Sequence, residues 1–80
     1  MMIQVFVRQR FSVRKRRGDR NGFAFREPTL GNAKRELGRW RAADLAAGDG
    51  VTSFVQAEFY DHEAFQADPV NAKAFLVIKA

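Results

Sequence analysis

Apolar and polar residues alternate along the first fourteen positions of the chain. Ile3, Val5, Val7, Phe11 and Val13 alternate with Gln4, Arg8, Arg10, Ser12 and Arg14, and Phe6 and Gln9 each break the pattern once. A period of two with β-branched residues predicts a strand over Ile3 to Arg14, with one face buried. Lys15 to Gly22 carries the turn dipeptides Gly18-Asp19 and Asn21-Gly22, so it reads as a turn region. Phe23 to Arg26 then reads as a short returning strand, making a hairpin with an arginine-rich tip.

The period changes after Pro28. Thr29 is a good helix N-cap, and Leu30, Ala33, Leu37 and Trp40 follow at helical spacing. The predicted helix runs from Leu30 to about Ala47 and stops at Gly48. Gly31 and Gly38 weaken it by about 1 kcal/mol each relative to Ala, or else permit close packing on a sheet. Arg35 and Arg39 fall opposite the apolar stripe and should face solvent.

Gly48-Asp49-Gly50 reads as a turn, and Val51 to Tyr60 as a second alternating strand with Val51, Val55, Ala57 and Phe59 on one face. Asp61 to Asn71 is of mixed polarity, contains Pro69 and reads as a loop. Ala72 to Lys79 is the last strand, with the uninterrupted apolar run Ala74-Phe75-Leu76-Val77-Ile78. The expected fold is α+β: a small antiparallel sheet of four to five strands with one principal helix packed on one face, in the order strand, strand, helix, strand, strand. Phe6, Phe54, Tyr60 and one side of the last strand should point to the face the helix leaves bare. Either the 61–71 loop covers them, or they form a homodimer or partner surface.

Length sets the scale of this core. Eighty residues make a single domain, residues 1–80, and a chain of that size buries only about 60% of its unfolded surface. There is no cysteine to add disulfides or zinc ligands. No apolar run approaches the roughly 18 residues of a membrane span, and Met1 to Val7 does not read as a signal peptide. A cytoplasmic location is the default expectation.

Charge changes the picture most. The net charge is +5, but residues 1–41 carry twelve Lys or Arg against Asp19, Glu27 and Glu36, a net of +9, while residues 42–80 carry −4. Unless strand pairing brings the halves together as ion pairs, the molecule has a polarised field.

Catalytic chemistry finds little support. His62 is the single histidine, set between Asp61 and Glu63. A soft metal site needs more ligands, and neighbouring carboxylates point apart. Ser12 and Ser53 lack a nucleophile-elbow context, and no phosphate-cradling glycine loop is present. The expectation is a binding protein, not an enzyme, with no metal or other cofactor.

The candidate binding residues are basic. Arg14, Lys15, Arg16, Arg17 and Arg20 cluster at the expected hairpin tip, and Arg8 and Arg10 continue the charge down the first strand. Such a row matches a polyanion's spacing, or it simply keeps a hairpin soluble. Phe23 and Phe25 either face the core under the helix, the preferred placement, or stack on a partner.

Gly22-Phe23-Ala24-Phe25 resembles the aromatic ribonucleoprotein motif of RNA-recognition and cold-shock domains, and Val5-Phe6-Val7 loosely resembles its partner motif. The resemblance implies nucleobases stacked on Phe23 and Phe25 beside a basic strand. The layout around Pro28-Thr29-Leu30-Gly31-Asn32-Ala33-Lys34-Arg35-Glu36-Leu37 is similar to small phage and mobile-element proteins, anti-CRISPR proteins especially. That resemblance implies a non-catalytic inhibitor of a nucleic-acid-handling complex. The expected partner is therefore such a complex, or nucleic acid itself; no membrane partner is expected.

Overall fold

A computed structural model describes residues 1–13, 15–42 and 50–80. It contains strand β1 (Ile3–Val13), strand β2 (Arg16–Glu27), helix α1 (Leu30–Ala42), strand β3 (Gly50–Asp61), helix α2 (His62–Ala67) and strand β4 (Leu76–Lys79). The four strands form one antiparallel sheet in the order β2-β1-β3-β4, which is the α+β architecture the periodicity predicts.

β1 is the central long strand, flanked along its whole length by β2 and β3. Its alternation does the sorting. Ile3, Val5 and Val7 face α1 and are buried with Ala33, Leu37, Phe54, Ala57 and Phe59. Leu37 is buried and the Trp40 ring lies 6.4 Å from that of Phe25, so α1 meets the sheet through the predicted stripe. Thr29 caps the helix as its sequence suggests, its hydroxyl oxygen accepting from the Asn32 amide at 3.1 Å. Arg39 and Arg41 in the last turn complement the helix dipole. Arg35 and Arg39 are exposed.

Two β-bulges set which side chain faces where. Val5 pairs with Phe25 but Phe6 pairs with Phe23, so Ala24 is an extra residue in β2. Arg8 pairs with Gln56 but Gln9 pairs with Phe54, so Val55 is an extra residue in β3. The first bulge puts Phe23 and Phe25 on opposite faces. The second turns Phe54 into the core, where it is 6% exposed, instead of onto the bare face expected for it. Val55 is correspondingly not one of the buried residues of β3.

Three further expectations need correction. Residues 16–22 are strand, not turn: pairing with β1 runs out to Val13↔Arg16, and Lys15 lies in the connection. The long partner strand overrides the local turn cues of Gly18-Asp19 and Asn21-Gly22. Gly18 is used differently, because the Phe11 ring lies over it and a Cβ there would come within 2.8 Å of Phe11 Cζ. Residues 62–67 form a helix, not a loop; the Asp61 carboxylate caps it by accepting from the Glu63 amide at 3.0 Å. β4 is only four residues long, paired with Gln56–Phe59. The expected continuation of α1 to Ala47 lies outside the described residues.

α2 answers the question of the second face in part. Phe65 packs on Phe6 and Tyr60, with ring centroids 5.0 and 5.1 Å apart. It covers one end of that face, leaving Phe75 and Val77 about half exposed near β4. Length explains why the rest stays bare. The 6-residue helix α2 spans about 9 Å, whereas an 11-residue strand spans about 36 Å. The hairpin therefore extends well past the core, and the molecule is 40 Å long and 17 Å thick. Among the described residues no helix is long and apolar enough to cross a membrane.

Candidate nucleic-acid interface

The face of the sheet opposite α1 gathers four of the nine singled-out residues: Arg8, Arg10, Arg17 and Phe23. From the Tyr60 end outward, the cross-strand pairs of β1 and β2 on this face are Gln4↔Arg26, Phe6↔Phe23, Arg8↔Asn21, Arg10↔Asp19 and Ser12↔Arg17. Paired residues of an antiparallel ladder lie about 4.5–5.5 Å apart, and successive rungs on one face about 6.6–6.8 Å. Arg8, Arg10 and Arg17 thus form a basic row, with Arg26 at its far end.

Asp19 is the carboxylate within the row. It accepts from Arg10 Nε at 3.4 Å and lies 4.0 Å from Arg8 Nε. The Arg10 side chain remains 67% exposed, so these exposed pairs orient the guanidinium groups without consuming them. Among the described residues no carboxylate pairs with Arg17. Among the described residues the ion pairs are Arg8–Asp19, Arg10–Asp19 and Arg39–Glu36, and none of these joins the basic N-terminal half to the acidic C-terminal half.

Aromatic surface adjoins the row. Phe23 is 52% exposed, meets Phe6 edge-on at 6.4 Å and carries the Arg26 guanidinium 5.1 Å from its ring centroid. Such a cation–π contact holds both groups at the surface at modest energy, about 0.5–1 kcal/mol. Behind Phe6, Tyr60 donates its hydroxyl to Glu58 at 3.0 Å. Burial of the ring, then the hydrogen bond and charge of Glu58, raise the phenol above its ordinary value of 10.0.

The other expected site residues are distributed differently. Arg16 and Arg20 alternate onto the α1 side of β2, opposite Val13 and Gln9. Lys15 is exposed in the connection. Phe25 packs against the core beside Trp40. Arg14 lies outside the described residues. Arg26 was not singled out by sequence; its place beside Phe23 depends on the bulge at Ala24, which the sequence does not announce.

The acidic stretch around His62 is built into the fold. His62 Nδ1 hydrogen-bonds the side-chain oxygen of Gln4, a residue only 4% exposed, and its backbone N–H donates to the Met2 carbonyl. Asp61 is occupied as the α2 cap. Among the described residues no three His, Cys, Asp or Glu side chains converge to hold a metal ion. No family model, curated protein or solved structure matches the chain.

Proposed function

We propose that this protein is a non-catalytic binding module for single-stranded nucleic acid, which lies along the open sheet face over Arg8, Arg10 and Arg17. The supporting observation is the row itself: three exposed guanidinium groups at strand spacing, moderated by one carboxylate, ending at a half-exposed phenylalanine. Arginine forks suit phosphate oxygens, and an aromatic ring stacks on any base. A flat face with both features suits a strand whose bases are splayed out.

The test is anisotropy of labelled DNA and RNA oligonucleotides over a salt series. Binding should weaken linearly in log K against log salt. Replacing Arg8 and Arg17 by Gln should lower that slope by about 1.4, from about 0.7 per phosphate contact on a single strand, without unfolding the protein. A folded wild-type protein with no affinity for any oligonucleotide at low salt rules the reading out. If that protein instead binds a nucleic-acid-handling complex through the same arginines, the accessory inhibitor that the sequence suggested first, such as an anti-CRISPR protein, takes its place.

A further inference from the structure

The α1 side of the hairpin holds a second feature. A cleft of about 200 Å³ opens between the C-terminal part of α1 and the two strands, lined by Val7, Gln9, Arg20, Gly22, Phe23 and Trp40. Its base is two adjacent cross-strand pairs, Val7↔Gly22 and Gln9↔Arg20. Gly22 borders open space: a Cβ there would meet nothing within 4 Å.

Size and chemistry restrict what fits. An apolar cavity of about 150 Å³ takes one benzene ring, whereas sites for whole small ligands run to about 300–1,000 Å³. The cleft therefore suits a single ring belonging to a larger molecule. The Trp40 indole supplies an aromatic wall. Among the described residues the Gln9 amide has no hydrogen-bond partner, and Arg20 has only a ring contact, its guanidinium 5.8 Å from the Phe11 centroid. That contact leaves the N–H groups of Arg20 without a hydrogen-bond acceptor among the described residues. An amide and a guanidinium together offer donors and an acceptor, which the edge of a nucleobase can satisfy. An aromatic side chain of a protein would leave them unpaired and desolvated.

Resting on the nucleic-acid reading above, we infer that this cleft captures one base of the bound strand, stacked against Trp40 and read by Gln9 and Arg20. β2 is an edge strand of the sheet, so a nucleic acid can pass over its edge at Phe23, from the arginine row to the cleft. The row then supplies sequence-independent attraction and the cleft supplies base preference.

Trp40 is the single tryptophan, so its emission reports the cleft directly. The experiment titrates the protein with a base-bearing oligonucleotide and with an abasic one of equal length at the same salt. The base-bearing strand should quench Trp40 and bind about fivefold to a hundredfold more tightly; the abasic strand should bind without quenching. Gly22→Leu fills the cleft and should abolish the quench while keeping the salt slope. Gln9→Leu, which leaves Gly22 intact, should change the ranking among homopolymers. Tight binding of the base-bearing strand without quenching overturns the inference, as does a folded Gly22→Leu protein that quenches like wild type. Equal affinity for both strands removes the cleft's role and leaves the arginine face standing, whereas binding of neither strand removes both.

Discussion

Gly38 and Leu37 are neighbours in α1, and replacing each by alanine should shift stability in opposite directions. Gly38 is exposed, and a Cβ added there meets nothing within 4 Å. The substitution therefore collects the helix-propensity difference undiminished, about 0.8–1.0 kcal/mol. For a domain of this size 1 kcal/mol is worth about 4–8 °C in Tm. Leu37 is 2% exposed within the cluster formed by Ile3, Val5, Ala33 and Phe59. Its truncation removes buried methyl groups and leaves a cavity, at a cost of about 2–5 kcal/mol. Against a total stability of about 4–12 kcal/mol for 80 residues, that loss is a large fraction. Urea denaturation followed by far-ultraviolet circular dichroism measures both, provided the m-value stays constant. A Gly38→Ala protein that is less stable than wild type would show that residue 38 packs against something, contrary to the helix orientation described. A Leu37→Ala loss below about 1 kcal/mol would remove Leu37 from the core.

His62→Ala strands the buried Gln4 amide and should cost about 1–3 kcal/mol, whereas replacing Gln4 and His62 together by leucine should recover much of it; a single substitution without measurable effect in urea refutes the pairing. Tyr60 is the single tyrosine, so the phenolate absorbance of the folded protein should rise with a midpoint above 10.0, its value being raised by burial and by Glu58. The sign follows: this stabilisation is complete below the free phenol's value and is lost as pH climbs through the folded one. Glu58→Gln should lower the midpoint, and a midpoint at or below that of the urea-unfolded chain contradicts the geometry.

The alternation of Ile3, Val5 and Val7 and the stripe of Leu30, Ala33, Leu37 and Trp40 were readable because each repeats a period that only one element satisfies. The row of Arg8 and Arg10 was readable for the same reason. The bulges were not: an additional Ala24 or Val55 leaves no trace in composition, yet it decides that Phe23 is outside, Phe25 inside and Phe54 in the core. The glycines at 18 and 22 misled because turn propensity is local, while pairing along eleven residues of β1 is not. α2 is six residues long, too short to display a helical period, and only Asp61 as its cap hinted at it. The cleft was invisible in sequence, since Val7, Gln9, Gly22 and Trp40 meet only through strand pairing and the crossing of α1.

The extra residues in β2 and β3 also determine where this fold tolerates changes in chain length. Because Phe23 already pairs as though Ala24 were missing, deleting Ala24 preserves the odd–even parity of every other residue in β2. The arginines stay on their face and Phe25 stays beneath the helix. The same holds for Val55 in β3. Deleting one residue elsewhere in β2, Asn21 for instance, inverts the parity from the gap to the strand end, moving Arg17 and Asp19 to the α1 side and Arg16 and Arg20 to the other face. Relatives of this chain should therefore differ in length at positions 24 and 55 sooner than anywhere else in the sheet, and a gap at either position in an alignment marks a conserved pair of faces.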